Sequence, residues 1–205
     1  GLAHIGVIRE LEARGYLIRA ISGSSMGAVI GGIHALGGLD TYERWVTGLE
    51  QSDVFRMLDW TFSGGGLIRG DALMKKLRDL VGECNIEDLP IAFTAVAVDI
   101  EKGREAWFSD GSLFEAIRGS MAVPSIFTPH RYRGRTLVDG GLLNPVPVAP
   151  TLRTLTDLTV VVDLNGDGVE PPPLKKVAVT AESPGLLQRL RTYLDGLNGE
   201  SGPVE

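Results

Sequence analysis

The stretch AISGSSMGAVIGG, residues 20–32, decides how this chain is expected to fold. Its first residues continue the apolar run YLIRAIS, which is typical of a short buried strand. The residues from Met26 onward, MGAVIGGIHALG, are typical of an apolar helix whose glycines permit close packing. Two serines, Ser24 and Ser25, lie between the two elements. A strand, a tight turn and a helix in this order predict an α/β domain with a ligand site where the strand ends.

The turn itself has the spacing of a nucleophile site. Gly23-Ser24-Ser25-Met26-Gly27 fits the pattern G-x-S-x-G with Ser25 at its centre. In such a turn, the residues two before and two after the serine approach so closely that only glycine fits. The backbone N–H of Met26 and the helix N-terminus then point to where a tetrahedral oxyanion would form. Because the chain has 27 glycines, a flexible turn is the alternative, but the strand before and the helix after favour a nucleophile.

Composition excludes several classes of function. The 205 residues carry a formal net charge of -6, and a nucleic-acid partner would require a basic face. Cys84 is the single cysteine, so an internal disulfide is impossible. No apolar stretch reaches the roughly 18 residues of a membrane-spanning helix. The sequence contains neither a His-Glu-x-x-His motif nor clustered cysteines, and we therefore expect no metal and no cofactor.

The remaining patterns alternate between helix and strand. Helices are predicted over residues 3–15, 40–58, 71–83 with Asp71 as N-cap, and 112–121. Strands are predicted over residues 91–100, 104–111, 131–139 with a turn at Gly134, and 158–165, the buried run LTVVVDLN. This order predicts a mainly parallel central sheet with helices on both faces.

A serine nucleophile needs a base, and the histidines are poorly placed to supply one. His4 and His34 lie in apolar helical patterns typical of packed core residues, whereas His130 precedes a predicted strand. No histidine follows Asp139, which argues against the usual order of serine, acid and histidine. Asp139 itself, at the end of a buried strand and before two glycines, is the strongest candidate for the base. An Asx-type turn is the alternative for Asp-Gly.

These residues together resemble the patatin-like phospholipase family. Its members have a serine turn and a distant D-G-[AG] aspartate that form a Ser-Asp dyad without histidine. The matching residues are Ser25 within Gly23 to Gly27, and Asp139 followed by Gly140 and Gly141. The resemblance covers GLAHIGVIRELEARG, SGSSMGAVIGG, GSMAVPSIFTPHRYRGRTLVDGG and LLNPVPV. It implies a three-layer patatin-like α/β domain with the nucleophile elbow between strand and helix.

The resemblance also defines the expected domain limits and the oxyanion site. Residues 1–165 would be a catalytic domain, truncated at its N-terminus, and residues 166–205 a proline-rich linker with an amphipathic helix. The family carries a G-G-G-x-[RK]-G oxyanion loop ahead of the opening helix, and Gly1 resembles the last glycine of that loop. We therefore expect an oxyanion hole made by Met26 with only a remnant at Gly1. Loss of one donor costs about 3 to 4 kcal/mol, so the chain would be weakly active.

The function implied by the resemblance is hydrolysis of a lipid or fatty-acyl ester, as by a phospholipase A, lysophospholipase or esterase. Asp139 would be buried and close to Ser25, and the reaction would pass through an acyl-serine. The single cysteine is compatible with a cytoplasmic location, which we expect, and the family implies contact with membrane surfaces. An acyltransferase is one alternative, and it would call for His130 as base. A non-catalytic regulatory protein with an incomplete oxyanion hole is another.

One apolar loop is a candidate for contact with the acyl chain. Trp60, Phe62, Leu67 and Ile68 flank the glycine-rich SGGGLIRG. Such a loop suits a lid over the site or an interfacial segment. It is equally typical of a loop that buries its apolar side chains under the sheet.

Overall fold

A computed structural model describes residues 2–50, 53, 57–61 and 66–164 of the chain. The helices are α1 (Leu2–Ala13), α2 (Met26–Ala35), α3 (Leu39–Thr47), α4 (Asp71–Val81) and α5 (Leu113–Ser120). The strands are β1 (Ala20–Ser24), β2 (Gly66–Ile68), β3 (Ala92–Asp99), β4 (Arg104–Phe108), β5 (Ser125–Phe127), β6 (His130–Tyr132) and β7 (Arg135–Asp139). The predicted boundary near residue 165 stays a prediction, because residues 165–205 lie outside the described part.

The predicted α/β class is confirmed, and the central sheet is mixed. Its five strands follow the order β1-β3-β7-β6, with β4 also paired to β3. β1 and β3 are parallel, whereas β3 is antiparallel to β4 and to β7, and β6 to β7. Tight turns join β3 to β4 and β6 to β7, and in these turns Gly103 and Gly134 have φ values of 60° and 70°. β2 and β5 form a separate parallel pair.

The central strand β3 brings two other strands end to end. β4 pairs with Ala95–Asp99 and so occupies one side of that part of β3. The opposite side is shared by β1, whose Ser24 pairs with Val96, and by β7, whose Asp139 pairs with Ala97. The C-terminal ends of β1 and β7 therefore meet at consecutive register positions on one edge of β3.

The glycines of α2 allow this helix to pack directly on the sheet. All residues from Ala28 to Ala35 are buried. A Cβ at Gly31 would lie 2.6 Å from Cγ2 of Ile21, and one at Gly32 would lie 2.9 Å from Cδ1 of Ile117. Larger side chains would push α2 away from β1 and α5. The close packing expected from the sequence is thus observed, and it fixes the helix that follows Ser25.

The start of α4 differs from its prediction. Asp71 is the first helical residue and Gly70, with φ 79°, occupies the N-cap position. The carboxylate that caps the helix is Asp59, which accepts hydrogen bonds from the N–H groups of Gly70 at 2.6 Å and Asp71 at 2.8 Å. Asp59 is 12 residues away from Asp71, and a local capping pattern does not detect a partner at that separation. The preceding α3 ends at Thr47, earlier than the predicted helix over residues 40–58.

The predicted buried strand LTVVVDLN is wrong for residues 158–164. These residues form no strand, and the side chains of Leu158, Val160 and Val161 are 46–55% exposed. A strand requires a neighbour for its backbone hydrogen bonds, and no described segment pairs with this one. Residues 155–162 instead line a cavity of about 720 Å³ together with parts of α1 and β1.

The apolar loop around β2 is divided between interior and surface. Ile68 is buried, whereas Trp60 and Leu67 are 52% and 45% exposed. Phe62 lies outside the described residues. None of the described helices combines the length and apolar character needed to cross a membrane.

Candidate active site

Ser25 occupies a strained turn between β1 and α2. Its φ of 54° and ψ of -123° lie outside the regions that residues with a side chain prefer, at a cost of order 1–3 kcal/mol. The turn is tight because Gly23 lies against the backbone of Gly27. A Cβ at Gly23 would be 2.5 Å from the nitrogen of Ala28 and still closer to Gly27. The predicted order of strand, glycine-flanked turn and helix is confirmed.

Replacement of Gly23 by alanine is expected to lower the free energy of unfolding by about 3 kcal/mol or more, because the added methyl meets backbone that cannot rotate away. Gly6→Ala in α1 is the matched control, since a Cβ there meets nothing within 4 Å. That change should stabilise the protein by about 1 kcal/mol through helix propensity. Urea unfolding of both variants measures the contrast, and equal stabilities would contradict the tight turn.

The two serines of the turn have different environments. Ser24 is 8% exposed, and its hydroxyl donates a hydrogen bond to the backbone carbonyl of Asn144 at 2.7 Å. Ser25 is only partly buried and its hydroxyl faces the carboxyl of Asp139. Ser24 therefore joins β1 to the turn after β7, whereas Ser25 is the more accessible of the two residues.

Asp139 is buried at the end of β7, with a side chain that is 4% exposed. Its Oδ1 accepts a hydrogen bond from the N–H of Gly141 at 2.7 Å. Oδ2 is buried and has no partner at ordinary hydrogen-bond geometry among the described residues, yet the Ser25 hydroxyl is near enough to lower the carboxyl pKa.

Burial determines the net pKa of Asp139. Removal of the carboxylate from water raises its pKa, and the hydrogen bonds from Ser25 and Gly141 offset this only in part. A carboxylate with a raised pKa is a better proton acceptor than an exposed one. The burial predicted from the sequence is observed.

The glycine after Asp139 permits a close contact with β3. A Cβ at Gly140 would collide with the carbonyl of Val96 and lie 2.8 Å from Oγ of Ser24. Gly141 contributes its N–H to the Asp139 carboxylate. The two glycines therefore have distinct roles, one steric and one in hydrogen bonding, and the turn is also the Asx-type turn that Asp-Gly suggested.

The turn after Asp139 is held from a second side. The Nδ2 of Asn144 donates to both carboxylate oxygens of Glu105 at 3.2 Å. Glu105 also accepts a hydrogen bond from Nε1 of Trp107 at 2.6 Å. These contacts fasten the turn to β4, while the Ser24 contact fastens it to β1. Neither contact was predicted, because nothing in the local sequence pairs Asn144 with Ser24 or Glu105.

His130 contacts a carboxylate, and His34 is buried in α2. Nε2 of His130 lies 2.9 Å from Oε2 of Glu115, and burial lowers the His130 pKa. Glu115 also accepts a hydrogen bond from Nη2 of Arg78 at 2.6 Å. His34 is 9% exposed, and burial likewise lowers its pKa. The ring of His4 lies beside Gly27, 3.7 Å from where a Cβ would be.

Of the two residues predicted to form the oxyanion hole, Met26 and Gly1, the structure describes only Met26. Met26 is the first residue of α2, so its N–H has no acceptor within the helix and lies directly after Ser25. Gly1 lies outside the described residues. In the part of the chain that the structure describes, no three histidine, cysteine, aspartate or glutamate side chains cluster as metal ligands do.

Comparison with known proteins places the chain in a family. The model of the patatin-like phospholipase family matches residues 1–152. An uncharacterised NTE family protein of Mycobacterium tuberculosis is 47% identical over 182 residues, which cover 89% of this chain and 51% of that protein. A patatin-like phospholipase domain-containing protein of Caenorhabditis elegans is 31% identical over 163 residues, 76% of this chain and 12% of its own length.

A third relative carries an activity in its name. The lysophospholipase nte1 of Emericella nidulans is 28% identical over 171 residues, which are 80% of this chain and 11% of that protein. The chain spans about half the length of the mycobacterial relatives that it matches at 47% identity. The resemblance seen in the sequence is confirmed, and the chain belongs to the patatin-like phospholipase family.

Proposed function

We propose that the protein is a serine acyl hydrolase of lipid esters, with Ser25 as nucleophile and Asp139 as base. One observation carries this proposal: β1 and β7 end at consecutive positions along β3, so a strained, partly accessible serine faces a buried carboxylate. A strained serine that follows a strand and opens a helix is the usual geometry of an ester-cleaving nucleophile. A φ of 54° with a ψ of -123° is a strained combination, and such strain is common at active sites.

The first half of the reaction makes an acyl-serine. Oδ2 of Asp139 takes the proton of the Ser25 hydroxyl as Oγ attacks the ester carbonyl. The carbonyl oxygen becomes an oxyanion, which the Met26 N–H and the N-terminus of α2 stabilise. Collapse of this intermediate breaks the bond to the alcohol oxygen, which leaves with the proton held by Asp139.

The second half releases the acid. Water enters, Asp139 takes one of its protons, and the resulting hydroxide oxygen attacks the acyl carbonyl. The ester bond to Oγ breaks, and the proton on Asp139 returns to Ser25. A fatty acid leaves and the site is restored, with Asp139 serving as base in both halves.

The lipid substrate class rests on the family and on the surface around the site. A relative is named as a lysophospholipase, and the family name specifies phospholipids. Leu142 and Leu143 follow the Asp139 turn and are 55% and 52% exposed, which gives the neighbourhood an apolar surface suited to an acyl chain. The same surface supports contact with lipid aggregates as part of this proposal.

The pH profile is expected to follow Asp139. Burial raises the pKa of Asp139 above the ordinary aspartate value of about 3.9. The fraction of Asp139 that is ionised, and so able to accept a proton, falls as the pH drops through this raised pKa. The acidic limb of kcat should therefore have its midpoint above the ordinary aspartate value. Initial rates across pH 3–9 measure it, and a rate still maximal at pH 4 would contradict a buried Asp139 as base.

The test of function compares substrates with a nucleophile control. The purified chain should release fatty acid from a lysophosphatidylcholine and p-nitrophenol from a medium-chain ester, and Ser25→Ala should release neither. Hydrolysis that persists in Ser25→Ala would place the activity elsewhere. Absence of hydrolysis by the unmodified chain on both substrates, together with no covalent labelling of Ser25, would contradict the proposed function.

A further inference from the structure

Ser120 is a buried residue whose hydroxyl makes two hydrogen bonds at the site. It is the last residue of α5 and is 0% exposed. Its Oγ accepts a hydrogen bond from the backbone N–H of Ser25 at 3.0 Å. The same Oγ donates to the carbonyl of Val96 at 2.6 Å. One hydroxyl therefore uses both its acceptor and its donor on backbone groups of other elements.

The two groups that Ser120 joins lie where the halves of the site meet. Val96 is the register partner of Ser24, the residue just before Ser25. The Val96 carbonyl is also the group against which Gly140 packs, directly after Asp139. Through this carbonyl, Ser120 connects the turn that carries the nucleophile to the turn that carries the base.

The hydrogen bond to Ser25 acts on its strained peptide. With φ at 54°, Ser25 would relax to a commoner conformation unless neighbouring groups held it. A fixed acceptor for its N–H holds the orientation of the peptide plane and hence the direction of Cα–Cβ. It also directs this N–H into the interior, so that the N–H of Met26 is left to face the oxyanion.

We propose that Ser120 is a positioning residue for the reaction at Ser25. Its hydroxyl keeps the Ser25 side chain in line with Asp139 without touching substrate. The expected effect on the reaction rate rests on the proposed function. The hydrogen bond between Ser120 and the Ser25 N–H can be tested without any enzymatic activity. A displacement of about 1 Å between reacting groups costs about 10²-fold in rate.

The test compares Ser120→Ala with Ser22→Ala. Ser22 lies on β1 three residues before Ser25, and its hydroxyl is buried without a hydrogen bond among the described residues. The same chemical change there removes no contact with the turn. We expect Ser120→Ala to lower kcat by about 10- to 100-fold with little change in KM, and Ser22→Ala to keep the kcat of the unmodified chain. Ser120→Thr, which keeps the hydroxyl, should recover part of the loss.

A second readout follows the Ser25 amide directly. Hydrogen exchange of this N–H, measured by NMR, should be about fivefold to tenfold faster in Ser120→Ala and unchanged in Ser22→Ala. An unchanged exchange rate at Ser25 in Ser120→Ala would overturn the proposal whether or not the protein is an enzyme. So would an unchanged kcat in a chain that hydrolyses esters through Ser25.

The test of Ser120 remains decisive if the chain hydrolyses no ester or if Ser120→Ala does not fold. Where no ester is hydrolysed and Ser25 is not labelled, the proposed function fails, and the exchange rate alone decides whether Ser120 holds the turn. Where Ser120→Ala does not fold, Ser120→Cys replaces it, because a thiol is a weaker donor and acceptor of similar shape. Exchange at Ser25 should then be faster than in the unmodified chain, and exchange equal to that of the unmodified chain would overturn the proposal.

Discussion

Ser25→Ala is expected to reduce ester hydrolysis by at least about 10⁴-fold, because no other atom at the site can form the acyl intermediate. The same change should leave the free energy of unfolding almost unaltered. Alanine keeps the Cβ that makes the φ of 54° costly, so the strain of the turn is similar in both proteins. Initial rates with the two esters and urea unfolding measure the two effects.

Ser22→Ala is also the matched control for this result. Its hydroxyl is buried in the strand that leads into the turn and makes no hydrogen bond among the described residues. It should keep full activity, which separates loss of the nucleophile from loss of any nearby hydroxyl. A Ser25→Ala protein that is folded and still hydrolyses at more than a hundredth of the original rate would remove Ser25 from the mechanism.

Asp139→Asn is expected to lower kcat by about 10³- to 10⁴-fold. An amide cannot take the Ser25 proton, although its carbonyl can still accept the hydrogen bond from the Gly141 N–H. The turn should therefore keep its shape while the chemistry stops. Asp99→Asn is the matched control, because Asp99 is buried on β3 and accepts hydrogen bonds from the N–H groups of Glu101 and Lys102.

The stability of Asp139→Asn carries a second signature. Because the pKa of Asp139 is raised in the folded protein, ionisation of this carboxyl favours unfolding. The stability that protonated Asp139 contributes is therefore present at low pH and is lost as the pH rises through the raised pKa. Asparagine cannot ionise. As the pH rises from about 4 through the raised pKa of Asp139, the variant should therefore gain stability relative to the unmodified protein. A relative stability that does not change with pH would contradict the burial of a charged Asp139.

The sequence predicts the Ser25 turn well because its cause is local. Gly23 and Gly27 are two residues from Ser25, and their close approach is a direct consequence of the pattern. The proximity of Asp139 is different in kind. It depends on β1 and β7 ending on the same edge of β3, which is a property of the whole sheet. The strand end and the two glycines after it made Asp139 a candidate for the base, and the resemblance to a family paired it with Ser25.

The wrong predictions have the same origin. LTVVVDLN has the apolar composition of a strand, but composition does not show whether a neighbouring strand is present to hydrogen-bond with its backbone. Asp71 begins a helix, yet the cap comes from Asp59 in a distant loop. The role of Ser120 was not predicted, because nothing in the local sequence of a serine at a helix end indicates a hydrogen bond to Ser25. Contacts between residues that are distant in sequence can be identified only from the three-dimensional structure.

Covalent labelling by a fluorophosphonate tests the central claim most directly, because the reagent reacts with a serine only when a base and an oxyanion site act on it. The unmodified chain should gain one adduct, and peptide mass spectrometry should place it on Ser25. Ser25→Ala should gain none, and Asp139→Asn should react far more slowly. An adduct on another residue, or equal labelling of the unmodified chain and Asp139→Asn, would contradict a nucleophile at Ser25 that is activated by Asp139.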